Sequence, residues 1–326
     1  MLGGVLAAYA SAIDPDEPLR GLTVGEFPEP EPPPDWITVQ VRAATLNHHD
    51  LWSLKGVGLP AERLPMVLGC DAAGLDPDGN EVLVHAVITS PDWRGEPTLD
   101  PRRSLLSEVH HGTLAQRVAV PAGNVVPKPA GLGFEEAACL PTTWLTAFKM
   151  LHVNASVTPG DTVLVQGAGG GVASAAIQIG AATGCRVWAV SRSDERRCRA
   201  LELGADAVFE PGQRLPERVD AVLETVGAAT WSHSLASLRP GGTLVISGAT
   251  SGDAPERAEL TRIFFHQLRV VGSTMGNLQQ LRSLVQMVEQ TGVRPMIDRV
   301  LPLSRAAEGL AALQNGEVFG KVILTP

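Results

Sequence analysis

The sequence predicts an α/β protein of two domains: a β-rich part, and a doubly wound parallel sheet with helices on both faces. Three observations predict it. The first is length, since 326 residues exceed the roughly 150 of an average domain. The second is a change of texture near residue 134. Before it, short alternating segments are punctuated by proline; after it, near-continuous apolar strands alternate with helical stretches. The third is a glycine cluster set between one such strand and one such helix. Strands buried on both faces read as unbroken apolar runs, and alternation with helices makes them parallel.

In chain order, the N-terminal stretch has a short apolar run but no basic leader. Acidic, proline-rich sequence follows at once, so a secretory signal is not expected. Trp36–Arg42 alternates with period two, as a half-buried strand does. The prolines of Pro28–Asp35 exclude helix and central strand ahead of it. Glu81–Val87 and Ala115–Val120 are further short strands. Residues 90–107, polar and interrupted by proline, read as an irregular lobe. Phe134–Leu140 and Trp144–His152 read as helices interrupted at Pro141. Strands follow at 162–167, 186–191, 207–209, 221–226, 243–248 and 269–273. Helices at 171–184, 194–203 and 231–238 separate some of them. The tail holds helices Leu278–Gln290 and Ser304–Gln314, then a last strand from Lys321.

Charge and cysteine content exclude several classes. Lys+Arg is 26 against Asp+Glu 35, a net charge of −9. Nucleic-acid and anionic-membrane binders need a basic face, so neither partner is expected. No apolar run is long enough for a transmembrane helix. Cys70, Cys139, Cys185 and Cys198 form no CxxC and no metal-spaced cluster, which suits a reduced, cytoplasmic protein.

The glycine cluster carries the strongest chemical signal. Val163-Leu-Val-Gln-Gly runs straight into Ala168-Gly-Gly-Gly-Val. Backbone without side chains can approach a pyrophosphate, and a helix N-terminus offers free N–H groups and partial positive charge. Gly167, Gly169, Gly170 and Gly171, with Val172 behind them, fit a dinucleotide. The next strand ends in Ser191-Arg192, where an NAD binder places an acid for the ribose hydroxyls. A hydroxyl and guanidinium groups, from Arg192 and from Arg196 one turn on, suit a 2′-phosphate instead. NADPH is the expected cofactor. Arg197 and Arg199 are expected on a solvated helix face.

These pieces, in this order, resemble the medium-chain dehydrogenase/reductase superfamily, and within it the zinc-independent quinone oxidoreductase-like branch. The resemblance rests on Ala44–Asp50, Leu68–Gly74, His111–Pro121, Glu136–Ala147, the glycine loop, Leu203–Asp206 and Pro240–Thr243. It implies a GroES-like β-barrel domain, residues 1–143 with 274–326, and a Rossmann NADPH-binding domain, residues 144–273. It implies an active site in the cleft between them. Zinc-dependent relatives bind catalytic metal through Cys, His and Cys; the matching positions here hold Asn47, Cys70 and Thr142. No metal is therefore expected, with an unconventional site through Cys70, His48, His49 and Asp71 as the alternative.

Without a Lewis acid, an alkoxide has no stabiliser, whereas a quinone or α,β-unsaturated carbonyl compound delocalises the charge that hydride delivery creates. The expected function is NADPH-dependent reduction of such small electrophiles. The alternatives are an alcohol or aldehyde dehydrogenase with a residual metal site, or a non-catalytic NADPH-binding protein. Asn47, His48 and His49 are the candidate catalytic groups, a histidine being poised to donate a proton near neutral pH; Asn47 reads equally as a helix N-cap. His110 and His111 read as structural. The resemblance adds Thr146 near the nicotinamide, Thr225 and Val226 at the adenine side, and Gly248, Ala249 and Thr250 at the next strand end. It also adds Phe265 beside Phe264 in the nicotinamide pocket, where core packing is the competing reading, and Lys321 near the pyrophosphate. It implies homodimers through paired edge strands, with Arg269–Ser273 the candidate edge.

Overall fold

A computed structural model describes residues 4–326; residues 1–3 lie outside the described residues. The chain divides into two compact units. One runs to Thr143 and resumes at Gly276–Pro326; the other is Trp144–Met275. The return crossing thus falls two residues later than the 273/274 boundary read from the sequence.

The Trp144–Met275 unit is built on six strands, all parallel. Their order across the sheet is Ala207–Phe209, Arg186–Val190, Thr162–Gln166, Val219–Glu224, Leu238–Ile246 and Arg269–Gly272. In chain order this is 3-2-1-4-5-6, so the sheet reverses direction between Thr162–Gln166 and Val219–Glu224. Crevices at such reversals, outside the carboxyl ends of the strands, are where doubly wound sheets bind ligands. Leu164, Trp188, Val190, Phe209, Val222 and Leu244 pack into one buried cluster. Each such side chain contributes roughly 1.5–3 kcal/mol on burial. Arg269–Gly272 forms one edge of the sheet, with Val270 exposed.

The other unit is mostly antiparallel. The long strand Trp36–Thr45 pairs with Ala72–Leu75, Arg117–Pro121 and the final strand Lys321–Thr325. The final strand also pairs in parallel with Ile297–Pro302. The C-terminal tail therefore completes a sheet begun some 280 residues earlier, and so carries Lys321 into the middle of this unit. Gly4–Ala10 is a strand, paired along its length with Leu22–Pro28. The lobe at 90–107 is largely irregular, but Ser104–Leu105 pairs with Val87–Ile88. Pro141 does not break the helical path. Leu140–Trp144 passes it in a widened, π-type turn, which absorbs the missing N–H. Among the described residues no helix is long and apolar enough to cross a membrane.

Candidate active site

In the parallel-sheet unit, Thr162–Gln166 ends in Gly167 at φ +80°, a conformation that favours glycine. The helix Gly171–Ala182 begins four residues later. Its first i→i−4 bond is from Ser174 N–H to the Gly170 carbonyl. The amides of Gly171, Val172 and Ala173 thus precede that bond and point out of the helix end. Gly170 is exposed, and a Cβ there would meet nothing within 4 Å. The loop is a cradle that side chains would fill, which fits a dinucleotide pyrophosphate.

Both flanks of the crevice are held. A Cβ at Gly167 would stand 3.2 Å from Val226, and one at Gly169 would stand 2.8 Å from Nη1 of Arg196. Arg196 therefore lies across the glycine loop. Arg192 is exposed, while Ser191 is buried and its Oγ accepts the Ser193 N–H at 3.3 Å. Arg197 is not on a solvated face. Its side chain is only 14% exposed, its Nη1 donates to the Ser191 carbonyl at 2.6 Å, and it pairs with Asp194 and Glu210. Asp194 one turn back, Glu210 just past the neighbouring strand Ala207–Phe209 and the Ser191 carbonyl hold it against the strand ends.

Sequence reasoning missed Glu224, which is fully buried at the end of Val219–Glu224. Its Oε1 accepts the N–H groups of Val226 (2.8 Å) and Gly227 (3.1 Å). Its Oε2 accepts the hydroxyls of Thr230 (2.8 Å) and Ser234 (2.6 Å). One carboxylate thus fixes the turn that carries Thr225 and Val226. An acid closing the apolar run Ala221–Leu223 was the available signal. The Thr225 carbonyl accepts the Thr250 N–H at 3.3 Å, tying this strand end to the segment of Gly248, Ala249 and Thr250. Thr146 is buried on Leu145–Phe148. Phe264 and Phe265 are 66% and 75% exposed, so the core-packing reading of that pair does not hold.

In the mostly antiparallel unit the structure gathers a buried charged nest. Asn47 precedes the helix His48–Leu54. Its Nδ2 donates to Asp71 Oδ2 at 2.7 Å, and its Oδ1 accepts from Lys321 Nζ at 2.7 Å. Lys321 also donates to the Leu46 carbonyl at 2.8 Å and lies 3.5 Å from Asp71 Oδ2. Thr45 Oγ1 donates to the same carboxylate oxygen at 2.6 Å. Two sequence expectations change here. Both ends of the Asn47 amide are engaged, so Asn47 orients its neighbours. Lys321 is 2% exposed, and its ammonium is spent on this nest instead of reaching a pyrophosphate. Asp50, fully buried, caps the helix by accepting the Asn47 N–H at 2.8 Å, and it accepts the Gly69 N–H at 3.0 Å. Burial pushes its carboxyl up to about 7, against the pull of those two bonds and of Lys321.

His48 and His49 start the helix beside this nest. Burial lowers both imidazoles; Lys321 lowers His48 further, while Asp71 pulls His49 back up. His49 Nε2 lies 3.5 Å from Ser53 Oγ and 3.7 Å from Glu108 Oε1. His110 and His111 have packing partners: His110 bonds Ser104 at 3.0 Å and packs on Trp36, and His111 accepts the Val67 N–H and packs on Phe27.

Comparison with known proteins agrees with this architecture. Residues 33–130 match the alcohol dehydrogenase GroES-like domain family, and residues 171–290 match the zinc-binding dehydrogenase family. A solved NAD-dependent alcohol dehydrogenase is 36% identical, covers 98% of this chain and 99% of its own, and superposes with a TM-score of 0.90. The chain belongs to the medium-chain dehydrogenase/reductase superfamily. As a member it is an oxidoreductase, with a GroES-like domain and a Rossmann-like parallel sheet. The acryloyl-coenzyme A reductase of Sulfurisphaera tokodaii is 26% identical over 95% of this chain and 98% of its own. A 2-octenoyl-CoA carboxylase reductase, solved with NADP and 2-octenoyl-CoA, is 27% identical, covers 100% of this chain and 88% of its own, and gives a TM-score of 0.90.

The family match raises the question of zinc, and the residues here do not fit it. Zinc wants three protein ligands or more, from Cys, His or carboxylate. The Asn47 amide is locked between Asp71 and Lys321. The Cys70 thiol is fully buried, donates to the Leu106 carbonyl, and is pushed well above its ordinary range by burial and by Asp50, Asp71 and Glu108. Thr142 offers a buried hydroxyl with no hydrogen-bond partner. Among the described residues, no three His, Cys, Asp or Glu side chains are grouped to hold a metal ion.

Proposed function

We propose that this oxidoreductase uses NADPH to reduce the carbon–carbon double bond of α,β-unsaturated carbonyl compounds, enoyl thioesters included, or quinones, with no metal step. The observation that carries the reading is the nest around Asn47 and Asp71. Its cationic partner is the Lys321 ammonium, and its donor set would hold no Lewis acid. An alkoxide would then lack its usual stabiliser, while a conjugated acceptor spreads the arriving charge over its own carbonyl. The resemblance to reductases of unsaturated acyl-CoA supports the same substrate class.

When bound, NADPH supplies the hydride. The loop Gly167–Gly171 and the helix start at Val172 would hold its pyrophosphate. Ser191, Arg192 and Arg196 would hold its 2′-phosphate, since a guanidinium and a hydroxyl recognise phosphate oxygens where an acid would repel them. Glu224 keeps Thr225 and Val226 in place at the crevice wall, and Thr146 and Phe265 are the proposed neighbours of the nicotinamide. His48 or His49 would give the proton that follows the hydride.

A second reading, an alcohol dehydrogenase using NAD, is favoured by the 36% identity to such an enzyme. One set of assays separates the two. Cofactor oxidation at 340 nm is followed with 2-enoyl thioesters, enones and quinones. NAD(P)⁺ reduction is followed with primary and secondary alcohols, and Kd values for NADPH and NADH come from fluorescence titration. The proposal expects acceptor reduction with NADPH bound at least tenfold more tightly. Alcohol oxidation with tighter NADH binding would overturn it.

A further inference from the structure

Glu108 is a residue that the reading above leaves without a role. It directly follows the irregular lobe at 90–107, next to Ser107, whose backbone takes φ +71°. Only a few per cent of non-glycine residues adopt such a conformation. Here the Ser107 N–H donates to the His110 carbonyl at 2.7 Å, closing a tight turn with Glu108 in it. Gly58, at φ +78°, gives the Glu108 carboxylate room, because a Cβ there would stand 2.5 Å from Oε1. The carboxylate faces Nε2 of His49 at 3.7 Å, with both side chains about three-quarters buried. Ser53 Oγ, one helical turn on, is 3.5 Å from the same nitrogen. Among the described residues, the other ring nitrogen, Nδ1, makes no hydrogen bond.

We propose that Glu108 is a positioning residue for proton delivery: its carboxylate holds His49 by Nε2 and leaves Nδ1 to protonate the reduced acceptor. This rests on the reductase reading. After hydride uptake the acceptor carries the extra electron pair as an enolate. The Nδ1–H bond of the imidazolium breaks, its proton bonds to the enolate, and its electron pair stays on nitrogen. The ring is left neutral with its remaining proton on Nε2, facing Glu108, until solvent reprotonates Nδ1. The tautomer produced is thus the one that Glu108 favours, since the partner of one ring nitrogen decides where the proton stays. The surrounding charges leave the pair intact. Burial pushes the Glu108 carboxyl up, with Arg103 drawing it back toward the ionised form, and burial lowers the His49 imidazole, with Asp71 drawing it back up; burial also pushes the Cys70 thiol well up, so it adds no charge beside them.

The test uses full-length protein and two readouts. The first is the tautomer of the His49 ring, read from ¹⁵N shifts at a pH where it is neutral, with H49N giving the assignment. The wild type should show the Nε2–H form; Glu108→Gln should show a mixture, and Glu108→Asp should restore the wild-type form in part. An unchanged ring in Glu108→Gln overturns the proposal. The second is a double-mutant cycle on turnover. Glu108→Gln should lower kcat about tenfold with KM and NADPH affinity unchanged. H49N/E108Q should be no slower than H49N alone, because the two groups act as a unit. Additive losses also overturn the proposal. If the wild type reduces no acceptor in the panel, the reductase reading fails, and the ring spectrum still decides whether Glu108 holds His49.

Discussion

Removing the Lys321 ammonium tests the charged nest directly. Lys321→Met keeps most of the side-chain volume and deletes the cation. In the native protein Nζ serves the Leu46 carbonyl (2.8 Å), Asn47 Oδ1 (2.7 Å) and Asp71 Oδ2 (3.5 Å). Lys321 and Asp71 are 2% and 0% exposed, so water cannot replace what is lost. Asp71 keeps the Thr45 hydroxyl and the Asn47 amide, but both are neutral donors. Breaking a buried ion pair by removing one partner costs about 3–5 kcal/mol, because the other charge is left uncompensated. For a unit of this size each kcal/mol lowers Tm by about 2–4 °C, so the expected drop is roughly 6–20 °C. Urea and thermal unfolding of the variant measure it. The decisive control is Lys321→Met with Asp71→Asn. Removing both charges should recover at least half of the loss, since one amide oxygen can still accept from Thr45 and Asn47. A single variant within 1 kcal/mol of wild type, or a double variant no better than the single, would refute the reasoning.

Two further outcomes follow from other parts of the structure. Gly170→Ala should leave Tm within a degree or two, because its Cβ meets no protein atom; it should weaken dinucleotide binding at least tenfold in a fluorescence titration, because that space is the one proposed for the pyrophosphate. Equal affinity would separate the loop from the cofactor. Asp50 offers a pH test. Its carboxyl titrates at about 7 in the fold against 3.8 ordinarily, so between those values the folded state holds a proton that the unfolded chain has released. Stability from this group is therefore greatest at low pH and falls as pH rises toward 7, by an upper figure of about 4 kcal/mol. The stability deficit of Asp50→Asn relative to wild type should shrink over that window, and a pH-independent deficit in urea titrations would contradict the burial argument.

The strand–glycine loop–helix unit proposed to hold the nucleotide was largely legible in the sequence because its signals are local. Thr162–Gln166, the glycines after it and the helix from Gly171 lie within about 20 residues, and each element carries its own periodicity and turn chemistry. The alternation of apolar strands with helices likewise announced a parallel sheet. Arg196 was read as a candidate from its spacing of one turn, and the structure puts it against Gly169. Arg197 was misread, because helical periodicity places a side chain on a face without saying what that face meets.

Residue types and local conformation were thus determined by the sequence alone: the glycine cradle, the basic end of the second parallel strand, and two histidines opening a helix behind Asn47. The partners of the charged groups were decided only by the tertiary structure. Lys321 meets Asn47 across 274 positions of chain and Asp71 across 250, and Glu108 reaches His49 from just past a lobe with no regular pattern. No periodicity encodes such meetings. A buried charge is tolerated only where distant elements bring its counterion and hydrogen-bond donors together, and that requirement is met in three dimensions.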